Sequence, residues 1–217
     1  MKPATHPLEV LKSLFSVLAV IDIQERLLPS ISERDRVQRN TRFLLDSAQI
    51  LGVRTVFTEQ YPKGLGPTVS ELTSSSSSAP VLEKLAFSAA EVLQTAGFPN
   101  HSGSENSSQI VLAGIETHIC VQQTALQLMA AGHSVFIAVD AVSSRNLFDH
   151  HIAIERMRHA GAVITTSEAI AFEWCERAGS DQFKALSRLV KERDLLPEGT
   201  EALLSGRQTL SADAHIV

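Results

Sequence analysis

Met129 to Asp140, MAAGHSVFIAVD, decides the fold: a helical segment ends at Gly132, and a run rich in Val and Ile begins at once. Glycine just past a helix supplies the left-handed backbone that stops it, and a strand without polar alternation is one covered on both faces. The same junction recurs at Gln49–Thr58, QILGVRTVFT, and at Arg158–Thr166, RHAGAVITT. Upstream of the former, Val37, Thr41, Leu44, Leu45, Ala48 and Leu51 fall at i, i+4, i+7, i+8, i+11 and i+14, one apolar stripe of a helix that Gly52 ends. Val121, Ala125, Leu128 and Met129 make a similar face before Gly132.

Working outward, strands are expected at Val17–Asp22, Val53–Thr58, Pro80–Lys84, Gln109–Ala113, Ser134–Asp140 and Ala162–Thr165. Their spacing is close to the ~30 residues of a βαβ unit. The fold class is therefore α/β: a three-layer, doubly wound, Rossmann-like sheet of about six mainly parallel strands with helices on both faces. One domain over residues 1–217 is expected, with its core at about 17–171 and a C-terminal arm at about 180–217. The Ser-rich Thr73–Pro80 and the Ser/Gly/Asn-rich Phe98–Ser108 read as loops.

With 19 Lys and Arg against 24 Asp and Glu, the net charge of −5 gives no electrostatic footprint for nucleic acid or an anionic membrane. A small-molecule partner is the expectation. No apolar run approaches the ~20 residues of a membrane span, and the opening MKPATHPLEVLKSLFS lacks a signal-peptide core, so a cytoplasmic protein is expected. Two cysteines, Cys120 and Cys175, are too few for a disulfide framework and fit a reducing compartment.

In a doubly wound sheet, ligands sit beyond the carboxyl ends of the strands. The first strand ends in Asp22, the third in Lys84, and the fourth runs through Gly114 into a helix starting near Cys120. Taken singly, each has a plainer reading: Asp22 as a helix cap, Lys84 as a surface lysine, Cys120 as a small buried hydrophobe. Together they suggest chemistry. A thiol at a helix N-terminus beside an ammonium is biased towards thiolate, and Asp22 could take the thiol proton and return it to a leaving amine. Backbone N–H groups at the turn would hold an oxyanion.

VIDIQ (Val20–Gln24), EKLAFS (Glu83–Ser88) and GIETHICVQQTA (Gly114–Ala125), in this order and at these strand ends, resemble the isochorismatase-like cysteine hydrolases. That superfamily includes nicotinamidases, carbamoylsarcosine amidohydrolases and isochorismatases. The resemblance covers about Val17–Ala171, and FTEQYPKGLGPT (Phe57–Thr68) is similar to the isochorismatase domain-containing subgroup. It implies an Asp22-Lys84-Cys120 triad and a cis peptide at Ile115–Glu116, which would aim the amides of Glu116 and Cys120 at one oxyanion position. It also implies a homo-oligomer, a dimer or larger.

Departures matter as well. Nicotinamidases commonly bind a metal through Asp-x-His after the second strand; here Thr58-Glu59-Gln60-Tyr61 stands there, so no metal and no cofactor are expected. His150 and His151 are adjacent, not spaced i, i+4 as paired ligands on one helix face would be, and read as a solvated helix start. Gln24, Gln60, Tyr61, Ile115 and His118 are candidate pocket residues, and the Glu116 side chain is placed to alter that pocket. Cys175, beside Trp174, reads as packing.

Hydrolysis of a small amide or related C–N bond through a Cys120 thioester is the leading function. Vinyl-ether hydrolysis fits less well, because it needs proton delivery rather than a nucleophilic thiol. The alternatives are a non-catalytic or regulatory interaction protein keeping the fold, against which three intact triad residues argue, and a thiol enzyme with a His base on a tight elbow. The latter expects Gly beside the Cys, whereas four residues, Glu116 to Ile119, separate Cys120 from the Gly-Ile step. A ribonuclease role, a label some subgroup members carry, finds no support in charge or in aromatic-basic patterning.

Overall fold

The computed structural model describes residues 10–76, 78–98 and 109–194. Its strands are β1 (Ser16–Ile21), β2 (Arg54–Gln60), β3 (Val81–Lys84), β4 (Gln109–Ile115), β5 (Ser134–Ser143) and β6 (Val163–Thr165). The helices are α1 (Arg34–Leu51), the single turns α2 (Pro62–Leu65) and α3 (Ser70–Thr73), α4 (Ala90–Thr95), α5 (Gln122–Ala130), α6 (Leu147–His159), α7 (Ser167–Cys175) and α8 (Asp181–Asp194). All strand pairings are parallel and the order is β3-β2-β1-β4-β5-β6. The chain therefore reverses direction across the sheet between β1 and β4, the place where such sheets open a crevice at their carboxyl edge.

Every residue of β1 and β4 is buried, as their unalternating apolar sequences require. One core cluster includes Val37, Leu44 and Leu45 of α1 with Ile170 and Trp174 of α7; the other includes Val121, Ala125 and Leu128 with Ile154 and Met157 of α6. Thus α1 and α7 cover one face, α5 and α6 the other. Gly52 ends α1 in the left-handed conformation (φ 70°), donating back to Ala48.

Several expected boundaries move. β1 stops at Ile21, leaving Asp22 beyond the strand, and β2 runs two residues past Thr58 to Gln60, which pairs with Lys84. β5 does not end at Asp140. The register against β4 shifts between Leu112 and Gly114, so β5 absorbs extra residues and continues to Ser143. Asp140, in that irregular stretch, accepts from Ser167 N (2.7 Å) and Ser167 Oγ (2.6 Å), fixing the start of α7. The Ser-rich segment is not wholly loop, since Ser74–Ser76 forms a short 3-10 turn. Residues 181–194 of the expected arm are instead the helix α8, with Leu186 buried against Phe43 and Ala171; 195–217 lie outside the described residues, as does most of Phe98–Ser108. Among the described residues no helix is long and apolar enough to cross a membrane.

Candidate active site

The parallel register brings three strand ends to one edge. Ile21 lies between Thr58 and Gly114, so the residue after β1 sits between the ends of β2 and β4. Asp22 leaves the strand in the left-handed region (φ 51°), which Asp tolerates better than most residues. Its carboxylate is wholly buried. Oδ1 accepts from Thr58 Oγ1 at 2.7 Å and Oδ2 from Lys84 Nζ at 2.6 Å.

Lys84, the last residue of β3, is 4% exposed. Its ammonium donates to Asp22 Oδ2, to Gln60 Oε1 (2.8 Å), and to the carbonyls of Phe87 (2.9 Å) and Ala86 (3.3 Å). A buried cation needs such partners, because desolvating a charge without them costs several kcal/mol (~3–5). The loop after β3 wraps its carbonyls inward round the nitrogen and leaves Leu85 and Phe87 exposed.

Cys120 does not begin a plain α-helix. β4 continues through Gly114 and Ile115, the Ile115–Glu116 peptide is cis, and Thr117–Val121 forms a wide π-helical turn that leads into α5. Cys120 is 5% exposed, and its thiol lies within electrostatic reach of the Asp22 carboxylate and the Lys84 ammonium. Burial pushes its pKa up to about 12, with the Asp22 carboxylate adding to the rise and Lys84 opposing it. The expected bias towards thiolate is outweighed, while the expected transfer of a thiol proton to Asp22 is compatible with this shift. Desolvation and a carboxylate outweigh the ammonium, which is already committed to Asp22, so the group is a thiol at neutral pH.

The pocket candidates divide. Gln24 is fully buried and structural: its Nε2 donates to the carbonyls of Gln60 (3.1 Å) and Gly66 (2.6 Å), and its Oε1 accepts from Gln60 N (2.8 Å). Gln60 spends its side chain on Lys84 and on the Leu85 carbonyl (2.8 Å), so it holds the ammonium rather than reaching for a ligand. Tyr61 is 51% exposed at the rim, and Ile115 is packed in the core. His118 Nδ1 lies 2.9 Å from Ser144 Oγ. Glu116 turns its side chain away from the thiol's partners, accepting from Arg145 N (2.9 Å) and Arg145 Nε (3.1 Å).

His150 corrects another expectation. It is 5% exposed, not solvated, and its Nδ1 shares a 2.9 Å hydrogen bond with Thr117 Oγ1. Burial, with lesser contributions from His151 and Arg36, lowers its pKa to about 4, so it is neutral. With Ser144 and Arg145 it clamps the turn carrying Cys120. Thr124 adds a fourth tie, donating to Cys120 O (2.7 Å) and accepting from Ala89 N (2.8 Å). Of these supports, Thr117 and Thr124 lie within the quoted GIETHICVQQTA, whereas Ser144 and Arg145 carried no signal in the sequence. Among the described residues, no group of three or more His, Cys, Asp or Glu is placed to hold a metal.

Residues 16–169 match the model of the isochorismatase domain. Isochorismatase domain-containing protein 2A of Mus musculus is 36% identical over 197 residues, covering 91% of this chain and 92% of the mouse protein. The structure resembles a solved MAR1 ribonuclease from Caenorhabditis elegans (TM-score 0.74, 33% identity, 88% of this chain and 100% of that one). It also resembles the YcaC gene product of Escherichia coli, described as an octameric hydrolase of unknown specificity (TM-score 0.73, 26% identity, 89% and 100%).

Proposed function

The chain belongs to the isochorismatase family, and from that premise we propose that it is a cysteine hydrolase of a small amide or related C–N bond. The observation carrying this reading is a buried carboxylate, Asp22, paired with Lys84 and facing the Cys120 thiol. When a carbonyl carbon meets Sγ, the thiol proton passes to Asp22 as the S–C bond forms, so no thiolate need exist beforehand. The main-chain amides of Glu116 and Cys120 receive the developing oxyanion. Asp22 returns the proton to the departing nitrogen, ammonia leaves, and a thioester remains. Water attacks it while Asp22 accepts a proton, and collapse releases the carboxylic acid and restores the thiol. Lys84 keeps its charge throughout and holds Asp22 in place.

The test is ammonia release from a panel of small primary amides and carbamoyl compounds, with an acyl adduct sought by mass spectrometry. Cys120→Ala is expected to abolish turnover, and Asp22→Asn to lower it by about 10²–10⁴-fold, the usual worth of a general acid–base. Turnover surviving in Cys120→Ala sinks the mechanism, and silence across the panel favours a non-catalytic binding protein. We further read the chain as a cytoplasmic homo-oligomer; light scattering of the purified protein decides the oligomeric state, for which the octameric description of the E. coli relative is support.

A further inference from the structure

Glu116, between β4 and the turn that carries Cys120, is buried and almost fully committed. Its carbonyl accepts from Ile119 N (3.1 Å) and Val121 N (3.2 Å), which braces the turn from within. Its carboxylate accepts from Arg145 N (2.9 Å) and Arg145 Nε (3.1 Å), which braces the turn from the β5–α6 connection. That anchor is itself held: Ser32, before α1, donates through N to Ser144 O (3.1 Å) and through Oγ to Arg145 O (2.9 Å). Only the main-chain N–H of Glu116 meets no acceptor oxygen among the described residues. Burial and Asp22 raise the Cys120 pKa, and this N–H is among the groups that oppose the rise, so it lies near the sulfur. A buried N–H left without an oxygen partner is rare, because it forfeits about a hydrogen bond's worth of stability.

Resting on the amide-hydrolase reading, we propose that the Glu116 side chain is a positioning group: through Arg145 it holds its own main-chain N–H where the oxygen of an attacked carbonyl becomes negative. The carboxylate is the buried member of the pair, and the Arg145 side chain, 59% exposed, comes to it from the surface. With carbonyl and carboxylate both tied, the donor is set before the reaction, and little reorganisation remains for the moment of attack.

Aldehydes test this without any need for turnover. Propionaldehyde and benzaldehyde add to the Cys120 thiol: the Sγ–C bond forms, the carbonyl π pair moves to oxygen, the thiol proton passes to that oxygen, and no group leaves. Iodoacetamide instead reacts at a saturated carbon and puts no charge on a carbonyl oxygen. Protection of Cys120 from iodoacetamide by each aldehyde is read by peptide mass spectrometry of the full chain at pH 8, with 1-propanol and benzyl alcohol as blanks for simple occupancy. Glu116→Ala is expected to weaken protection about 10–100-fold, as for a misplaced oxyanion donor, and Glu116→Gln, which keeps an acceptor oxygen, to recover most of it. Labelling by iodoacetamide alone is expected to hold its rate, whereas mere loosening of the turn would uncover the thiol and speed it. Glu116→Asp, which keeps the charge but shortens the reach, is expected to weaken protection too, and it decides the matter if the Glu116→Ala chain does not fold. Protection as strong as wild type in the deciding variant overturns the proposal, as does wild-type protection by the aldehydes no better than by the alcohols. On amides that turn over, the same variants should lower kcat and leave KM nearly unchanged, the mark of a contact made only in the transition state. Weakened protection with no ammonia released from any amide leaves the positioning role standing and refutes the hydrolase reading alone; wild-type kcat in Glu116→Ala does the reverse.

Discussion

At the scale of single residues, the site depends on which of two opposing effects wins at Cys120. Its ordinary pKa is raised to about 12, by burial first and then by Asp22, against the pull of Lys84. Iodoacetamide should therefore label Cys120 at a rate that climbs through pH 9 and shows no plateau near neutrality; a plateau below pH 8 would contradict the buried-thiol picture. Asp22→Asn removes the neighbouring negative charge and leaves Lys84 free to pair with the thiolate. Labelling at pH 7 should then rise about tenfold, one pKa unit, even as hydrolysis is lost. A purely structural role for Asp22 would predict no such divergence.

At the scale of elements, the approach of β1 to β4 is set by Gly114. Its φ is +122°, and a Cβ there would stand 2.0 Å from the Ile21 carbonyl oxygen, a backbone atom that cannot swing aside. Gly114→Ala is expected to yield no soluble folded protein, or a loss of about 4 kcal/mol or more in urea unfolding. The turn that follows is held from α6 as well as from within: Thr117 and His150 satisfy each other inside the protein. Thr117→Val leaves the His150 nitrogen without its partner and should cost about 1–3 kcal/mol.

At the scale of the whole molecule, His150 couples the clamp to acid stability. Its folded pKa, about 4, lies below the ordinary 6.5, so the unfolded chain takes up a proton first as pH falls. The stability contributed by a neutral, buried His150 is complete above about pH 6.5 and is lost between there and about pH 4. The urea midpoint should fall over this window, and His150→Gln should flatten that part of the curve. At the far side of the sheet, α8 is part of the folded body: Leu186 is buried, Arg193 stacks 4.4 Å over Phe43 and pairs with Glu168. Leu186→Ala should cost about 2–3 kcal/mol in global unfolding, a value near zero being the outcome for a detached arm.

The sequence by itself determined the layered parallel sheet, because helix stops at glycine and apolar runs without alternation are local signals, whereas the order β3-β2-β1-β4-β5-β6 came only with the fold. It also placed Asp22 and Lys84 at strand ends, since a polar residue closing an apolar run marks the edge, and Cys120 at the helix start that follows the fourth strand. Only the tertiary structure decided their states. Whether Cys120 is thiol or thiolate depends first on its burial and then on Asp22 against Lys84, groups that come from separate strands and loops. Gln60 reads in sequence as a ligand-binding amide and is in fact a brace, because its reach is set by the β2–β3 register. His150 reads as solvated and is buried, because helix α6 turns it against Thr117, a residue 33 positions away. Strand and helix are written in neighbouring residues, whereas protonation state and hydrogen-bond partner are fixed by groups that only folding brings together.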